Sequence, residues 1–383
     1  MSRITNKMMT NDYLSDMQIN LKSMSKVQNQ MSSGKTINKG SDDPSVAARL
    51  TQLNSEIAAN KQYNSNITDT TNWLDTTDSA LAEAGNVLSR IRQLMVKAGN
   101  GAYGSDEIKA VKKETVADVQ QLTQTLNTSF DGSYIFGGTK STSKPVTVDS
   151  NGNISYADKD GNPLSYTVTT NTTSTFPANT VLNDSKSINS RITYLNSIPS
   201  SDPGYTAAQA EITTLTPMLV PMTQIGSNLT SQISDGVTVD YNKTATGILE
   251  FHDSTLNKDI DTKDVLSKII SDMGKAAKED STTTDAEQAT ALTDINGDDL
   301  KQLDAIISNL LQTRSGVGTL QNRMDSASTT NEDQNYNMTS ILSDSGDIDL
   351  TEKTVEYSSI QTVYTAALQT SSKVLQKTLL DYI

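Results

Sequence analysis

Apolar residues recur at every seventh position along the first quarter of the chain. The series is Val46, Leu53, Asn60, Ile67, Leu74, Leu81, Leu88 and Met95, with Asn60 its one polar member. A period held at seven, rather than drifting with the 3.6-residue turn, keeps one face of a helix against a partner helix. The pattern therefore predicts a long helix in coiled-coil packing, in which Asn60 fixes the register.

Both ends of the chain carry a narrower apolar stripe. A first helix is expected over 8–33, ending at Gly34, and a last one from about Asp349 to the C-terminus. Such helices are marginal alone in water, so the stripes need partners in each other or in another copy of the chain. The predicted assembly interface comprises Leu14, Met17, Leu21, Met24, Met31, Ile360, Tyr364, Leu368, Leu375, Leu379 and Tyr382. A monomeric bundle whose ends pair internally remains an alternative.

Capping signals place the long helix between these ends. Asp42 or Asp43 is expected to cap it, with Pro44 in its first turn, where a missing N–H costs least. It can run to about residue 97, and a third helix over 106–129 can fold back across the glycines that follow. Helical periodicity returns near Val265 and strengthens from Leu300, which supplies a partner for the long helix; Arg314 and Gln321 interrupt that stripe as further polar positions.

The middle of the chain has a different character. Asn151-Gly152 and Asp160-Gly161 separate short alternating runs, a pattern typical of β-hairpins. Pro199, Pro203, Pro217 and Pro221 are expected to break the more helical stretch 186–229 into short pieces. The fold class predicted is mainly α: elongated coiled-coil rods from the N- and C-terminal segments, with a β-rich (α+β) inserted outer domain.

Composition and charge exclude several functions. A formal net charge of -14 would repel a phosphate backbone, so nucleic acid is not an expected partner. There is no cysteine, and His252 is the one histidine, which rules out thiolate zinc sites and Cys–His nucleophiles. We expect no cofactor and no membrane insertion, because no apolar run approaches the length of a span. A cleaved secretory signal is not visible either.

Two acidic strings deserve comparison with calcium loops. Asp149 and Asp294 begin them, but the glycine of position 6 and the glutamate of position 12 are missing from both. Turn formation explains the same residues more simply. No catalytic constellation is visible, so the chain is not expected to be an enzyme.

Several segments resemble the bacterial flagellin superfamily. They are QMSSGKTIN at 30–38, SDDP at 41–44, YIFGGT at 134–139, TVY at 362–364 and LLDYI at 379–383. The C-terminal segments are more similar to the hook–filament junction branch than to flagellin, the filament subunit, which remains the alternative. The matching ends cover roughly 1–140 and 265–383.

The resemblance implies an extracellular structural part of the flagellum, exported through the type III apparatus. It implies a homo-oligomeric ring between the proximal junction protein (hook-associated protein 1) and flagellin, and an export chaperone that binds the C-terminal helix. The expected domains are a terminal coiled-coil inner layer (1–42 with 346–383), a helical rod (43–140 with 263–345) and a variable outer domain (141–262). A coiled-coil secretion-apparatus or adhesin protein, and an enzyme, are the rival classes.

Overall fold

The computed structural model describes residues 6–100, 103–170, 173, 176–280 and 282–374. Contacts divide the chain into two compact units, which are Met1–Asn64 with Thr329–Ile383, and Ser65–Ser328. The fold is mainly α with a small strand-containing middle region, which confirms the predicted fold class. Among the described residues, no helix is long and apolar enough to cross a bilayer.

Ten helices occur in the described ranges, of which the first three lie close to their predicted bounds and the last begins next to the predicted Asp349. They are α1 Asn6–Ser33, α2 Pro44–Ala98, α3 Ser105–Leu126, α4 Ser185–Asn196, α5 Tyr205–Ile225, α6 Ala245–Leu249, α7 Thr262–Ala276, α8 Asp285–Asn296, α9 Asp298–Gly346 and α10 Leu350–Val374. The strands, paired only as two-stranded antiparallel sheets, are β1 Ser129–Phe130, β2 Ser133–Tyr134, β3 Val146–Val148, β4 Ile154–Tyr156, β5 Tyr166–Thr167, β6 Val181–Leu182, β7 Thr230–Ser234, β8 Val237–Asp240, β9 Glu250–Asp253 and β10 Lys258–Asp261.

Asp43 begins α2. Its Oδ1 accepts hydrogen bonds from the backbone N–H of Ser45 (3.0 Å) and of Val46 (3.1 Å). These bonds stabilise the carboxylate and lower the pKa of Asp43 below its usual value. Of the two candidate caps, Asp43 is therefore the one that satisfies the free donors of the first turn, with Pro44 directly after it.

The seven-residue series lies along the inner face of α2. Its members are buried from Asn60 to Met95, whereas Val46 and Leu53 are half-buried. In the first unit, Asn60 Nδ2 donates a buried hydrogen bond of 2.8 Å to the backbone carbonyl of Asn331 in α9. This bond ties one register of α2 to α9, which confirms the predicted pairing and gives Asn60 a partner.

In the second unit, polar side chains bridge the same two helices along their rims. Gln321 donates to Asp75 (2.7 Å), and Arg314 forms a two-pronged ion pair with Asp78 (2.7 and 3.0 Å). The interruptions in the α9 stripe are therefore cross-helix contacts. They lie at the edge of the packing, where they select a register at little desolvation cost.

The two predicted hairpin turns have nearly the same geometry. Asp149 Oδ1 accepts from the backbone N–H of Asn151 (2.9 Å) and Asn153 (2.8 Å), and β3 pairs with β4 across this turn. Asp158 does the same for Asp160 and Asn162, at 2.8 Å each. The carboxylate of Asp149 thus closes a turn, which is the interpretation that the sequence favoured over calcium. The second turn leads only into an Ala157–Pro163 bridge, because β5 pairs with β6.

The prediction that four prolines break the stretch 186–229 is correct for two and wrong for two. Pro199 and Pro203 lie between α4 and α5, but Pro217 and Pro221 lie inside α5. Pro217 is exposed and Pro221 half-buried, so the carbonyls that lose a donor can meet water, while Leu215 and Met222 hold the opposite face in the core.

A buried ion pair joins α4 to α5. Arg191 and Glu211 are almost fully buried and meet through two contacts, from Nε to Oε1 (2.7 Å) and from Nη2 to Oε2 (3.0 Å). The guanidinium also donates to the carbonyl of Thr170 (2.6 Å) and lies 5.3 Å from the ring centre of Phe176. The two charges therefore have several compensating partners, which a buried pair requires.

Candidate assembly interface

In the first unit, α1 packs against α10. The side of α1 that loses solvent contact follows an alternating spacing of four and three residues: Tyr13, Met17, Asn20, Met24, Val27 and Met31. Val27, at 3% exposure, is the most buried of them. The Tyr13 hydroxyl donates a hydrogen bond of 2.6 Å to the carbonyl of Ala367. We call this contact the terminal seam.

The terminal seam shares its methionines with the predicted stripe, but between them it uses the residue one position earlier, such as Tyr13 instead of Leu14. Met17, Met24 and Met31 belong to both registers and are half-buried. Leu14 and Leu21, which belong only to the predicted stripe, are 52% and 44% exposed. The apolar surface of α1 is therefore wider than one partner helix covers, and these two leucines flank the seam.

The same division holds on α10. Ile360 and Tyr364 of the predicted set are half-buried, together with Ala367, while Leu368 is 44% exposed. Leu368 directly follows the residue that accepts the Tyr13 hydrogen bond, just as Leu14 directly follows Tyr13. The remaining predicted residues, Leu375, Leu379 and Tyr382, lie outside the described residues.

The predicted stripe does not include every residue of the seam or every exposed apolar residue of α1 and α10. Tyr13 and Val27 were not assigned, although Val27 lies three residues after Met24 and four before Met31, the spacing that would have found it. Further apolar side chains of the two helices are also exposed, and these are Met8, Ile19, Leu350, Val355 and Val363. Isolated apolar side chains are ordinary on a surface, but a set along two paired helices is typical of an interaction site.

Two backbone hydrogen bonds join the segment that follows α1 to the segment that precedes α10, and we call this contact the clasp. The backbone N–H of Thr36 donates to the carbonyl of Gly346 (2.8 Å), and that of Ile348 donates to the carbonyl of Gly34 (3.1 Å). Lys35 Nζ lies 2.5 Å from Asp347 Oδ1, and this bond lowers the pKa of Asp347. The backbone bonds fix the clasp, since an exposed ion pair adds little.

The lone histidine lies on the surface of the second unit. His252 Nδ1 is 2.8 Å from Asp259 Oδ1, across the β9–β10 hairpin, and both side chains are exposed. Within the described ranges, no group of histidine, cysteine and carboxylate side chains could hold a metal ion. The surface that most strongly indicates a function is therefore the row of exposed leucines beside the seam. It is formed by Leu14, Leu21 and Leu368, and we call it the apolar flank of the terminal seam.

Two family models match the chain. The bacterial flagellin N-terminal helical region matches residues 4–141, and the bacterial flagellin C-terminal helical region matches residues 300–383. Together they account for more than half of the sequence. They cover α1, α2, α3 and the hairpin β1–β2 at one end, and most of α9 with α10 at the other.

Curated relatives match over part of their length. The flagellar filament 41 kDa core protein of Borreliella burgdorferi is 33% identical over 109 residues, which is 28% of this chain and 31% of that protein. Flagellar hook-associated protein 3 of Salmonella typhimurium is 29% identical over 144 residues, 37% of this chain and 45% of that protein. The chain thus spans less than half the length of these relatives.

Two solved structures share the fold. Flagellar hook associated protein-3 from Legionella pneumophila has a TM-score of 0.52 at 14% identity, covering 77% of this chain and 98% of that one. FlgL of Xanthomonas campestris has a TM-score of 0.50 at 13% identity, covering 76% and 99%. Identities this low establish a similar fold and no more.

Proposed function

Because this chain belongs to the bacterial flagellin family, we propose that it is a structural, axial component of the flagellum at the junction of hook and filament. It would occupy the place of a hook-associated protein 3. The observation that carries the proposal is the apolar flank of the terminal seam, where Leu14, Leu21 and Leu368 are exposed on helices that already have a partner. Such a surface is costly in a lone molecule and useful in an assembly.

The assembly interface is the predicted set of eleven residues, divided into two roles. Leu14, Leu21 and Leu368 contact neighbouring copies, while the half-buried methionines hold the seam within each copy. Fully burying a leucine is worth about 1.5–3 kcal/mol, so a few truncated leucines remove enough free energy to prevent assembly. Leu375, Leu379 and Tyr382 extend the same stripe toward the C-terminus.

Three layers follow from this assignment. Residues 1–42 with 346–383 form the inner coiled coil, residues 43–140 with 263–345 form the rod around it, and residues 141–262 form the outer domain. Copies associate head to tail in a closed ring, since one surface of a copy meets a different surface of the next. The ring lies between hook-associated protein 1 and flagellin, outside the cell.

Export precedes assembly in this proposal. The chain passes through the flagellar type III apparatus, and a chaperone covers the C-terminal helix until then. The role is mechanical rather than enzymatic, and it requires neither a cofactor nor nucleic acid. Two observations support this role: the exposed apolar surface of α1 and α10, and the similarity of the chain to flagellar proteins.

Immunogold labelling of native flagella tests the proposal. Label restricted to a band at the base of the filament is expected, and a deletion strain should secrete flagellin without assembling it. Label along the whole filament would instead identify the chain as flagellin, the second candidate, which the filament protein of Borreliella burgdorferi favours by its similarity. An enzymatic activity that survives deletion of both terminal segments would instead identify the chain as an enzyme.

A further inference from the structure

The turn between β3 and β4 contains an asparagine followed by a glycine, a pair with its own chemistry. Asn151 is exposed, and its side chain has no hydrogen-bond partner in the described part of the chain. Its backbone N–H donates to Asp149 Oδ1 (2.9 Å), so the main chain is held while the side-chain amide can rotate. Gly152 follows, with a φ of +88°. The carboxamide of Asn151 can therefore approach the backbone nitrogen of Gly152.

That nitrogen is the nucleophile of a spontaneous reaction. When the Gly152 N–H loses its proton to solvent, the nitrogen attacks Cγ of Asn151. The new C–N bond closes a five-membered succinimide, and Nδ2 leaves as ammonia. Water then opens either ring carbonyl. Opening at Cγ gives aspartate, whereas opening at the main-chain carbonyl gives isoaspartate, in which the backbone runs through Cβ and Cγ. Glycine favours the attack because it places no side chain beside the nitrogen.

A second Asn-Gly pair is held in a way that opposes the same reaction. Asn296 is the last residue of α8, and its Nδ2 donates to the carbonyl of Gly99 (2.7 Å). This bond must break before the side chain can turn toward Gly297. The third such pair, Asn100-Gly101, extends beyond the described residues. The described part of the chain therefore offers one open pair and one restrained pair for comparison.

The turn that follows β4 shows that an aspartate fits this geometry. Asp160 occupies there the position that Asn151 has in the first turn, and its backbone N–H donates to Asp158 Oδ1 at 2.8 Å. Gly161 comes next with a φ of +86°, almost the same as that of Gly152. An aspartate formed at position 151 therefore leaves the turn intact.

Isoaspartate does not fit the first turn, because it adds one carbon to the backbone. Gly152 lies against α7, and even a single Cβ there would be 2.7 Å from Cδ1 of Ile270. The two strands are three residues long, and Val146 and Ile154 at their inner side are buried. A lengthened turn must therefore shift either the register of β3 with β4 or the contact of the hairpin with α7.

We propose that Asn151 is a site of spontaneous deamidation, and that its isoaspartate product loosens the β3–β4 hairpin from α7. The reaction requires neither an enzyme nor a cofactor, and water is its one co-reactant. It is a property of the folded chain, so the inference goes beyond the proposed function and does not depend on it.

Peptide mapping by mass spectrometry tests the site on the full chain, kept at mildly alkaline pH and sampled over time. A gain of one mass unit is expected at Asn151, about tenfold faster than at Asn296, where a hydrogen bond must break first. Asn151→Gln should abolish this product, since the longer side chain closes its ring much more slowly, and Asn296→Gln should leave it unchanged. Equal rates at the two asparagines, or a slower reaction at Asn151, overturn the site.

Hydrogen exchange of β3 and β4 tests the consequence. The freshly purified chain and the fresh Asn151→Asp variant should exchange alike, while peptides of the aged chain that contain isoaspartate should exchange faster. The aged Asn151→Gln variant should behave as the fresh chain does, which separates this reaction from ageing elsewhere. Equal exchange in the fresh and aged chains, or an Asn151→Asp variant that exchanges as fast as the isoaspartate form, overturns the proposed loosening.

Discussion

The hydroxyl of Tyr13 and the carbonyl of Ala367, 354 positions apart, are joined by a hydrogen bond of 2.6 Å. The bond anchors α1 to α10 through a half-buried side chain. The next residue on each helix, Leu14 and Leu368, is exposed. Each terminal helix therefore has one side that serves the fold of its own copy and an adjacent side that is open.

The two sides should respond differently to truncation. Val27→Ala removes a buried side chain from the seam and should lower the free energy of unfolding of the first unit by about 2 kcal/mol. Leu14→Ala with Leu21→Ala should change that free energy by less than about 0.5 kcal/mol and yet prevent incorporation into flagella. Hydrogen exchange of α1 and α10 measures the first quantity, and labelled electron microscopy the second. Normal incorporation of the double leucine variant would remove these residues from the interface.

The buried ion pair between Arg191 and Glu211 should be sensitive to loss of one partner. Glu211→Gln leaves the Arg191 guanidinium buried without a counter-charge, and should cost about 3–5 kcal/mol. Glu114→Gln breaks the exposed ion pair with Arg90 and should cost less than about 1 kcal/mol. Urea unfolding of the two variants compares them. Equal costs would mean that burial of the pair is unimportant.

The raised pKa of Asp261 predicts that the stability of the fold depends on pH. Burial, stronger than the nearby Lys263, raises the pKa of this carboxyl from 3.8 to about 6. Folding therefore favours the protonated form, so its stabilising contribution is complete below about pH 3.8 and is lost as the pH rises through about 6.

The matched variant is Asp261→Asn, which still offers an oxygen to the backbone N–H of Lys263 at the start of α7. The free energy of unfolding of the native chain, minus that of the variant, should decrease between pH 4 and pH 7 by up to about 3 kcal/mol. Urea unfolding at several pH values measures this difference. An increase with pH would mean that Lys263 dominates and that the carboxyl ionises more readily in the folded chain.

Gly138 should tolerate no side chain. Its φ of +58° is unfavourable for other residues, and a Cβ there would lie 2.3 Å from the carbonyl oxygen of Gln224. Gly132 has a similar φ of +75° but open space around it. Gly132→Ala should cost about 1–2 kcal/mol, and Gly138→Ala at least about 3 kcal/mol, because the clash adds to the backbone strain. Thermal unfolding of both variants checks the order, which similar midpoints would contradict.

Much of the fold could be predicted because its signals are local. A period of seven, Asp43 before Pro44, and glycines at the hairpin turns each determine a structure within a few residues. The position of Pro217 and Pro221 inside a helix could not be predicted from local sequence. Their effect depends on which face of α5 is exposed, and that is fixed by the packing of Leu215 and Met222.

The spacing of apolar residues along α1 fits two registers and does not choose between them. Leu14 and Leu21 continue the methionine stripe as well as Tyr13 and Val27 do, and apolarity alone does not choose between them. The choice depends on the opposite helix, where the Ala367 carbonyl accepts from Tyr13. The interface residues themselves stay a prediction until assembly is measured.

Met17, Met24 and Met31 are common to both registers of α1, and this makes the helix chemically vulnerable at three points. Oxidation of a thioether to a sulfoxide turns a flexible apolar side chain into a polar one. One such reaction would weaken the seam within a copy and the surface offered to its neighbour together, so exposure to peroxide should loosen the ends of the chain and their attachments at the same dose.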